Sequence, residues 1–279
     1  MSRLASVTLA LACLASPALA QESDGALPTP EEAANNWTIA VGGGYSPDYS
    51  GSDDYHLIPA AAVRGHIGPV SITTRSTYLY ADVIPRGSGN WEFNFGPIVG
   101  VRSNRTGKIR DDVVALLPDR RRAYEAGAFA GISYHGLTNP YDSLSFRLDA
   151  VHDVGSAHES TVISPSLDFA TPLSRFTYAS LGIGADFVSN RFADYYFSVS
   201  PAEAVLSGLP AFDADGGMKS WNVGLLLNQA ITGDLTGGLS VFGTVNHTRL
   251  VGDFKRTPIV ATRGSATQWL AAAGLAYTW

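Results

Sequence analysis

The chain ends with LAAAGLAYTW, residues 270–279, and this stretch alternates between large apolar and small side chains up to its last residue. Successive side chains of a β-strand point to opposite faces, so every second residue shares a face. The other face carries mainly small and polar residues, with Leu270 as the exception. The pattern predicts a strand that ends on a bare aromatic residue, where a soluble domain usually has a polar tail. The apolar row consists of Trp269, Ala271, Ala273, Leu275, Tyr277 and Trp279.

Other segments repeat this alternation. In DSLSFRLDAV, residues 142–151, polar and apolar side chains alternate without a break from Ser143 to Ala150. In NWEFNFGPIVGVR, residues 90–102, only Ile98 departs from the pattern. Charges on the second face of a strand suit either bulk water or the polar lumen of a barrel. We predict that the charged residues of these two strands line a lumen: Glu92, Arg102, Arg147 and Asp149.

The composition is that of a membrane barrel. Charged residues make up only 16% of the chain, below the roughly 25% of soluble domains, while Gly reaches 29 residues and aromatics 10%. After residue 20 no run of about 18 apolar residues occurs, so no transmembrane helix is predicted. Apolarity spread over every second residue is typical of transmembrane strands. The net charge of −6 argues against nucleic acid as a partner.

Connections between the predicted strands alternate in length. Short periplasmic turns and long outer loops alternate in this way in outer-membrane barrels, whose strand number is even. We divide residues 68–87 into two short strands. We therefore predict an all-β fold, a transmembrane antiparallel up-and-down β-barrel of about 12 strands, with 10 as the alternative. The long connections are predicted near 46–56, 103–121, 189–217 and 249–266, with a medium one at 153–159. The short ones are predicted near 65–69, 84–90, 135–141, 171–174 and 231–234.

The N-terminus has the pattern of an export signal. Residues 1–20 combine an early Arg3, an apolar run and an Ala-Leu-Ala site, which predicts cleavage after Ala20. A short membrane anchor and a lipoprotein attached through Cys13 are the weaker alternatives. Cleavage would remove Cys13, the only cysteine, and leave no disulfide. We expect a flexible periplasmic segment at 21–35 and a barrel at 36–279, in the cell outer membrane.

The aromatic end of the chain has a role in this fold. The last strand of an outer-membrane barrel closes the sheet against the first, so nothing need follow it. A final aromatic residue preceded by apolar residues at every second position resembles the signal read by the outer-membrane assembly machinery. We predict that Leu275, Tyr277 and Trp279 form this signal.

Several stretches together resemble the MipA/OmpV family of MltA-interacting outer-membrane proteins. Phe197 and His247 depart from the residues that are common in the family. The likeness covers most of the mature chain. Its most specific parts are GGGYSPDYSGSDDYHLIP at 42–59, DVGSAHES at 153–160, DYYFSVSPAEAVLSGLPAFDADGG at 194–217 and HTRLVGDFKRTPIV at 247–260.

The resemblance implies a non-catalytic outer-membrane scaffold. It implies that the protein links a lytic transglycosylase and a peptidoglycan synthase, enzymes of peptidoglycan remodelling, to the outer membrane. The alternatives are a small porin-like diffusion channel and an adhesin. The family has no catalytic residues, so we predict no enzyme activity and no cofactor or metal. Outer-membrane lipid and lipopolysaccharide are the expected surroundings.

Two polar clusters have to be weighed against the expectation that the protein has no catalytic or metal site. DAVHDVGSAHES, residues 149–160, contains Ser156, His158 and acids, the residue types of a hydrolase triad or a metal site. All lie on one hairpin, which favours a hydrogen-bonded outer loop. SGSDDY, residues 50–55, has oxygen ligands that suit calcium but lacks the spacing of a calcium loop. We expect a turn stabilised by its own side chains.

The loop at 189–217 is long and apolar. Within it, SPAEAVLSG predicts a short helix with Ser200 as N-cap, Pro201 in the first turn and Gly208 as the stop. Long connections of this kind are usually functional or fold inward. The segments 105–112 and 118–122 carry basic and acidic residues. Binding of lipopolysaccharide phosphates is one interpretation of their basic residues, and a solvated loop is the simpler one. The residues predicted to form an interaction surface or a plug are Tyr195, Tyr196, Phe197, Leu206 and Leu209.

Overall fold

In residues 36–87 and 89–279, which the computed structural model describes, twelve antiparallel strands form one closed sheet. Each strand pairs with its neighbours in sequence, as in an up-and-down barrel. The predicted signal peptide and the segment 21–35 lie outside the described residues. The strands are β1 Thr38–Pro47, β2 Tyr55–Ile67, β3 Val70–Arg75, β4 Tyr78–Asp82, β5 Trp91–Arg102, β6 Ala123–His135, β7 Ser143–Asp153, β8 Thr161–Pro172, β9 Thr177–Val188, β10 Gly217–Ala230, β11 Gly238–Leu250 and β12 Thr267–Thr278.

The two ends of the chain close the barrel. β1 pairs with β12 from Thr38 opposite Thr278 to Tyr45 opposite Ala271. Beyond the strands, Trp37 and Trp279 exchange two backbone hydrogen bonds, each 3.0 Å from N to O. Trp279 therefore extends the seam beyond β12, and both the predicted closing strand and the predicted number of about twelve strands are confirmed.

The alternation places large apolar side chains on the outside of the barrel. Aromatic residues mark both ends of this belt, as membrane interfaces require. Tyr45 and Tyr55 stack with their ring centroids 5.0 Å apart at one end, and Tyr277 and Trp279 stack at 5.9 Å at the other. Ile98, which broke the pattern, faces inward and packs in an apolar cluster within the barrel. The exposed outer row includes Val41, Phe93, Phe95, Leu148, Leu225 and Leu275.

The hairpin of β3 and β4 is the irregular part of the wall. The predicted division of residues 68–87 is confirmed, but β3 and β4 have six and five residues, fewer than a spanning strand needs. β2 pairs with β3 only over Arg64–Ile67, although β2 starts at Tyr55. The upper part of β2 therefore has a free edge, and Pro59, which has no N–H to leave unpaired, lies in it.

Connections sort by length between the two ends. The inner end, which carries the chain termini, has the turns 68–69, 83–90, 136–142, 173–176 and 231–237. The outer end has the connections 48–54, 103–122, 154–160, 189–216 and 251–266. The two-residue turn 76–77 between β3 and β4 also points outward and is the short exception, with the Thr77 hydroxyl bonded to the Val101 carbonyl oxygen at 2.7 Å. The first outer connection is shorter than the predicted 46–56, because Ser46 and Pro47 pair with His56 and Tyr55. The outer connections contain a 3₁₀ turn Val114–Leu116 and the helices α1 Asn190–Phe197, α2 Pro201–Ser207, α3 Gly252–Arg256 and α4 Pro258–Ala261.

Candidate functional site

Three long connections fold into the outer mouth, and we call residues 103–122, 189–216 and 251–266 the outer cap. Phe192, Tyr196, Phe197 and Phe254 of this cap are each about 1% exposed. They pack against one another, with the Phe197 and Phe254 ring centroids 5.0 Å apart. The same cluster includes inward-facing barrel residues such as Val188, so the aromatic side chains fill the mouth. Burial of this much apolar surface holds the cap in place.

Polar contacts join the three connections pairwise. Arg120 contacts Glu203 at 3.0 Å between nitrogen and oxygen, which joins the first connection to the second. Arg263 contacts Asp111 at 2.8 Å, which joins the third to the first. The Thr257 hydroxyl donates to the carbonyl oxygen of Phe197 at 2.6 Å, which joins the third to the second. The cap is therefore one folded unit.

The predicted plug residues are divided between core and surface. Tyr196, Phe197 and Leu209 are buried, Tyr195 is partly buried, and Leu206 is exposed. The predicted helix is confirmed as α2.

The caps of α2 follow the sequence signals. The Ser200 side chain accepts from the Glu203 N–H, the Glu203 side chain accepts from the Ser200 N–H, and Gly208 has φ 73°. This capping leaves Val205 and Leu206 facing solvent on the outer surface.

A charged cluster lies directly beneath α1, and we call Tyr78, Arg102, Glu125, His158 and Ser160 the latch. Glu125 is at its centre. Arg102 donates to its two carboxylate oxygens, from Nε at 2.7 Å and from Nη2 at 3.1 Å. His158 Nε2 lies 2.9 Å from Oε1, and the Tyr78 hydroxyl donates to Oε2. Because a carboxylate only accepts, Nε2 carries the proton.

The latch supports the cap through α1. The ring centroid of Phe192 lies 5.0 Å from that of His158 and 5.4 Å from the Arg102 guanidinium carbon. The latch therefore ties β4, β5 and β6 to the 154–160 connection and to the base of the cap. Glu125 was missed from the sequence, although it lies on the inward row of its strand, opposite Gly100 and next to Arg102.

The latch contains a serine, a histidine and an acid in contact. Ser160 Oγ lies 2.8 Å from His158 Nδ1, while Glu125 holds Nε2. In a serine hydrolase the nucleophile is bonded to Nε2 and the acid to Nδ1, the reverse of this arrangement. Ser160 is also buried, so its hydroxyl has no open approach for a substrate. The three side chains act together as a hydrogen-bonded support.

The residues singled out at 149–160 are otherwise dispersed. Ser156 does not contact His158; its carbonyl oxygen accepts from Arg121 at 3.2 Å. Asp153 accepts backbone N–H bonds from Gly155, Ala157 and His158, which shapes the connection. Among the described residues no group of three His, Cys, Asp or Glu side chains has the geometry of a metal site.

The segment at 50–55 forms a local turn. Ser52 Oγ accepts from the Asp54 N–H at 3.1 Å, and Asp48 N donates to the Asp54 carbonyl at 2.9 Å. The basic residues at 105–122 differ in exposure. Arg121 and Arg122 are exposed, whereas Arg105 is 2% exposed and is withdrawn from any lipid surface.

The predicted lumen charges pair across the middle and the inner half of the barrel. Arg147 Nε donates to Asp149 at 2.7 Å, and the Tyr80 hydroxyl donates to the same carboxylate at 2.8 Å. Near the inner end Glu92 accepts from Arg86 Nε at 2.9 Å and lies 2.9 Å from His135 Nε2. Pairing lowers the cost of holding these charges in a confined interior.

The opposite wall of the lumen carries small side chains. Inward positions of β9, β10, β12 and β1 are mainly glycine, alanine and short polar residues, as their pairing registers show. Gly182 makes room for Asp168, since a Cβ there would meet its carboxylate oxygen at 2.4 Å. Large side chains on the inward rows of β9 to β12 and β1 are few and include Tyr178, Leu226, Phe242 and Leu270. The inward glycines and alanines of β9, β10, β12 and β1 are Ala40, Gly42, Gly44, Gly182, Gly184, Gly224, Ala230, Ala272, Gly274 and Ala276.

The three residues of the predicted assembly signal lie on the lipid-facing side of β12 or beyond its end. Leu275, Tyr277 and Trp279 are each about half exposed. No described helix has both the length and the apolar character needed to cross a membrane.

Comparison with known proteins relates this chain to a family and to a fold. The family profile described as MltA-interacting protein MipA matches residues 39–279. Among solved structures, a NanC porin in a rhombohedral crystal form has a TM-score of 0.52 and 10% identity, over 86% of this chain and 98% of that chain. The COG4313 outer membrane channel from Pseudomonas putida F1 has a TM-score of 0.49 and 11% identity, over 93% and 100%. No curated protein sequence matches the chain.

Proposed function

This chain is an outer-membrane β-barrel that belongs to the MltA-interacting protein MipA family, and on that premise we propose that it is a non-catalytic scaffold. It would hold peptidoglycan-remodelling enzymes at the periplasmic face of the outer membrane. The proposed partners are a lytic transglycosylase and a peptidoglycan synthase. The observation that carries the proposal beyond the family description is a ring of exposed apolar residues at the inner end.

We call Val83, Ile84, Leu137, Leu173 and Ile231 the inner rim. They lie in or beside four of the five inner turns, and each is 39–64% exposed. Exposed apolar residues grouped at one place mark lipid interfaces or protein interaction sites. Leu137, Leu173 and Ile231 lie past the strand ends, which favours a periplasmic protein as their partner. Val83 lies at the edge of the wall, where its N–H donates to the Phe95 carbonyl oxygen at 2.9 Å.

The inner turns are rigid enough to present this rim. The Asp142 carboxylate accepts from the backbone N–H groups of Leu137 at 2.7 Å, Thr138 at 2.7 Å and Asn139 at 3.1 Å. Asp234 accepts in the same way from the Thr236 N–H at 2.8 Å. A surface that is ordered before binding loses less conformational entropy when a partner docks.

The same proposal includes the route to the membrane. Export would use the signal peptide with cleavage after Ala20, and assembly would use Leu275, Tyr277 and Trp279 as the signal read by the assembly machinery. The exposed apolar belt would then contact outer-membrane lipid and lipopolysaccharide.

Crosslinking in intact envelopes followed by mass spectrometry tests the scaffold. Wild type should crosslink to a lytic transglycosylase and a synthase, and Leu137→Asp combined with Leu173→Asp should remove most of that product. Val205→Asp is the matched control, since Val205 is 86% exposed at the opposite end. Heat-modifiable migration in gels shows that each variant contains a folded barrel. Absence of cell-wall enzymes in the wild-type product, or their full recovery with the double variant, contradicts the proposal.

A narrow diffusion channel is the second candidate. The small side chains of the β9–β1 wall favour it, because short inward side chains take up less of the lumen than long charged or aromatic ones. Single-channel conductance in planar bilayers separates the two functions. A scaffold with its mouth filled by the cap should give no steps, whereas discrete steps in the purified wild-type protein would favour the channel.

A further inference from the structure

Three arginines near the outer mouth allow a direct comparison. In an arginine side chain Nε and Nη2 point the same way and form a fork that matches the two oxygens of a carboxylate or phosphate. Arg102 holds Glu125 with this fork, at 2.7 Å and 3.1 Å. Arg263 holds Asp111 with the same two nitrogens, at 3.0 Å from Nε and 2.8 Å from Nη2 to Oδ2.

The third arginine has the same fork without a partner. Arg105 is 2% exposed, and its Nη1 donates to the carbonyl oxygen of Tyr196 at 3.1 Å. Its Nε and Nη2 are buried and have no hydrogen-bond partner within residues 36–87 and 89–279. No carboxylate in that part of the chain forms an ion pair with it. Buried donors of a charged group are costly when they are left unpaired.

A second arginine adds positive charge at the same place. The Arg120 N–H donates to the Arg105 carbonyl oxygen at 3.1 Å, so the two residues lie side by side at the base of one connection. Arg120 forms an ion pair with Glu203 through Nη2, but its own Nε is also buried without a partner. Two guanidinium groups therefore share one carboxylate.

The charge of Arg105 persists at neutral pH. Burial, and after it the charge of Arg120, lower the pKa of Arg105 to about 10, which still leaves the side chain protonated. The Arg105 backbone has φ 57°, a conformation that costs a residue other than glycine of order 1 kcal/mol. Strain of this kind persists where the surrounding fold requires the residue's placement.

We propose that the Nε and Nη2 fork of Arg105 is a binding site for a small anion that offers two oxygens, a carboxylate or a phosphate. The anion occupies the place that Glu125 and Asp111 take on the other two arginines. Arg120 Nε, also buried without a partner among the described residues, is a candidate further donor. The bound anion neutralises the uncompensated charge and completes the interior of the cap.

An access route lies beside Arg120. This residue lines a groove of about 1130 Å³ on the outer surface, between α1, α2 and the connections 103–122 and 154–160. Tyr195, Ser198 and Ser200 also line the groove. Arg105 does not line this groove, so an anion entering from outside meets Arg120 first. It reaches Arg105 only when Arg120 moves from Glu203 and from the Tyr195 ring, which its guanidinium carbon covers at 5.2 Å.

Thermal unfolding with chosen anions tests the site. The mature protein, folded in detergent and exchanged into chloride, is titrated at constant ionic strength with formate, acetate or inorganic phosphate. Wild type should show a saturable rise in unfolding temperature with at least one of them, as ligand binding to the native state requires. Preference for formate and acetate over phosphate assigns a carboxylate ligand, and the opposite preference assigns a phosphate.

Variants connect the effect to the fork. Arg105→Lys keeps the charge but removes the fork, and it should weaken the apparent affinity roughly ten- to a hundredfold, as expected for loss of charge-assisted hydrogen bonds. Arg105→Gln should abolish the saturable rise, and Arg191→Gln, which changes an exposed arginine lining the same groove, should keep it.

The outcomes that overturn the site are explicit. A wild-type protein with no saturable response to any of the three anions removes the proposal, and so does an equal response of wild type and Arg105→Lys. If Arg105→Gln does not fold, the titrations of wild type and of Arg105→Lys still decide whether the fork binds an anion. None of these results depends on cell-wall enzymes, so the proposed scaffold function can be contradicted without affecting the proposed anion site.

Discussion

The connections at the two ends of the barrel are stabilised in different ways. At the outer end, connections of up to 28 residues fold into a cap with a buried aromatic core and a charged latch beneath it. At the inner end, turns of two to eight residues are held by local side chain to backbone bonds, and their apolar residues remain exposed. The outer end depends on a core built from contacts distant in sequence. The inner turns are shaped by bonds within a few residues, and single distant bonds join neighbouring turns, such as that from the Leu235 N–H to the Arg175 carbonyl oxygen at 3.0 Å.

This difference assigns separate tasks to the two ends. A cap with its own core closes the mouth and can hold a ligand beneath it, because its loops bury enough surface to be ordered. Short turns cannot bury a core, so their apolar residues remain available to a partner. Mutations at the outer end should therefore loosen tertiary structure, and mutations at the inner end should act locally.

The latch should give the largest effect. Glu125→Ala removes a fully buried carboxylate and leaves Arg102, His158 and the Tyr78 hydroxyl without their shared acceptor, which costs about 3–5 kcal/mol. The cap should loosen and become cleavable by trypsin while the barrel persists. Urea unfolding in lipid vesicles measures the change. Glu159→Gln is the control, because its ion pair with Arg191 is exposed and should contribute less than about 0.5 kcal/mol. Equal stability of Glu125→Ala and wild type would contradict a stabilising role of the latch.

The aromatic core of the cap comes next. Phe254→Ala removes a ring that is 1% exposed and packs edge-on against Phe197, which should cost about 3 kcal/mol. Hydrogen exchange should then rise in α1 and α3 and stay unchanged in the inner turns. Leu206→Ala, which changes an exposed residue of the same cap, should alter little. Exchange that rises equally at both ends contradicts the separation of the two ends.

An inner turn should give a smaller and more local effect. Asp142→Ala removes the acceptor of three backbone N–H groups and should cost about 2 kcal/mol. The change should appear in hydrogen exchange of residues 136–142 and leave the cap protected. Asp119→Ala, at an exposed outer position, serves as the control and should stay within about 0.5 kcal/mol. Loss of cap protection in Asp142→Ala would show that the ends are coupled.

The mildest test uses pH. Burial raises the pKa of Asp142, but hydrogen bonds from Thr138, Leu137 and Asn139 outweigh it and hold that pKa below its ordinary value. A carboxyl with a lowered pKa stabilises the fold above its unfolded value, near 3.8, and loses that contribution as pH falls through the folded value. The slope for one proton is at most about 1.4 kcal/mol per pH unit. Acid unfolding of Asp142→Asn should lack this component, and an unchanged acid transition contradicts the assignment.

Particular residues show how far sequence reasoning reached. Two-residue alternation predicted the strands, and the loop lengths predicted which connections share an end. Arg75 in the middle of 68–87 pointed to two short strands, and β3 and β4 confirm the division. Alternation could not explain Ile98, because its inward position became reasonable only with an apolar cluster in the upper lumen.

The candidate site was less accessible to prediction. The serine of the outer hairpin that contacts His158 is Ser160. The acid that contacts His158 is Glu125, which lies 33 residues from that histidine in the sequence. Arg105 was assigned to a surface loop on the strength of its basic neighbours, yet it is buried under Tyr196. The pairing register between strands and the folding of the cap onto them decide which of these residues meet. Neither can be read from a short stretch of sequence.

By itself, the sequence determined the barrel, its twelve strands and the face that each strand turns outward, because backbone pairing and a period of two leave few alternatives in a membrane. Only the tertiary structure decided how the outer connections close the mouth, which charges meet in the latch, and that one arginine fork has no partner from the described chain. Those outcomes depend on which side chains converge from distant strands and loops, and convergence is a property of the closed sheet as a whole.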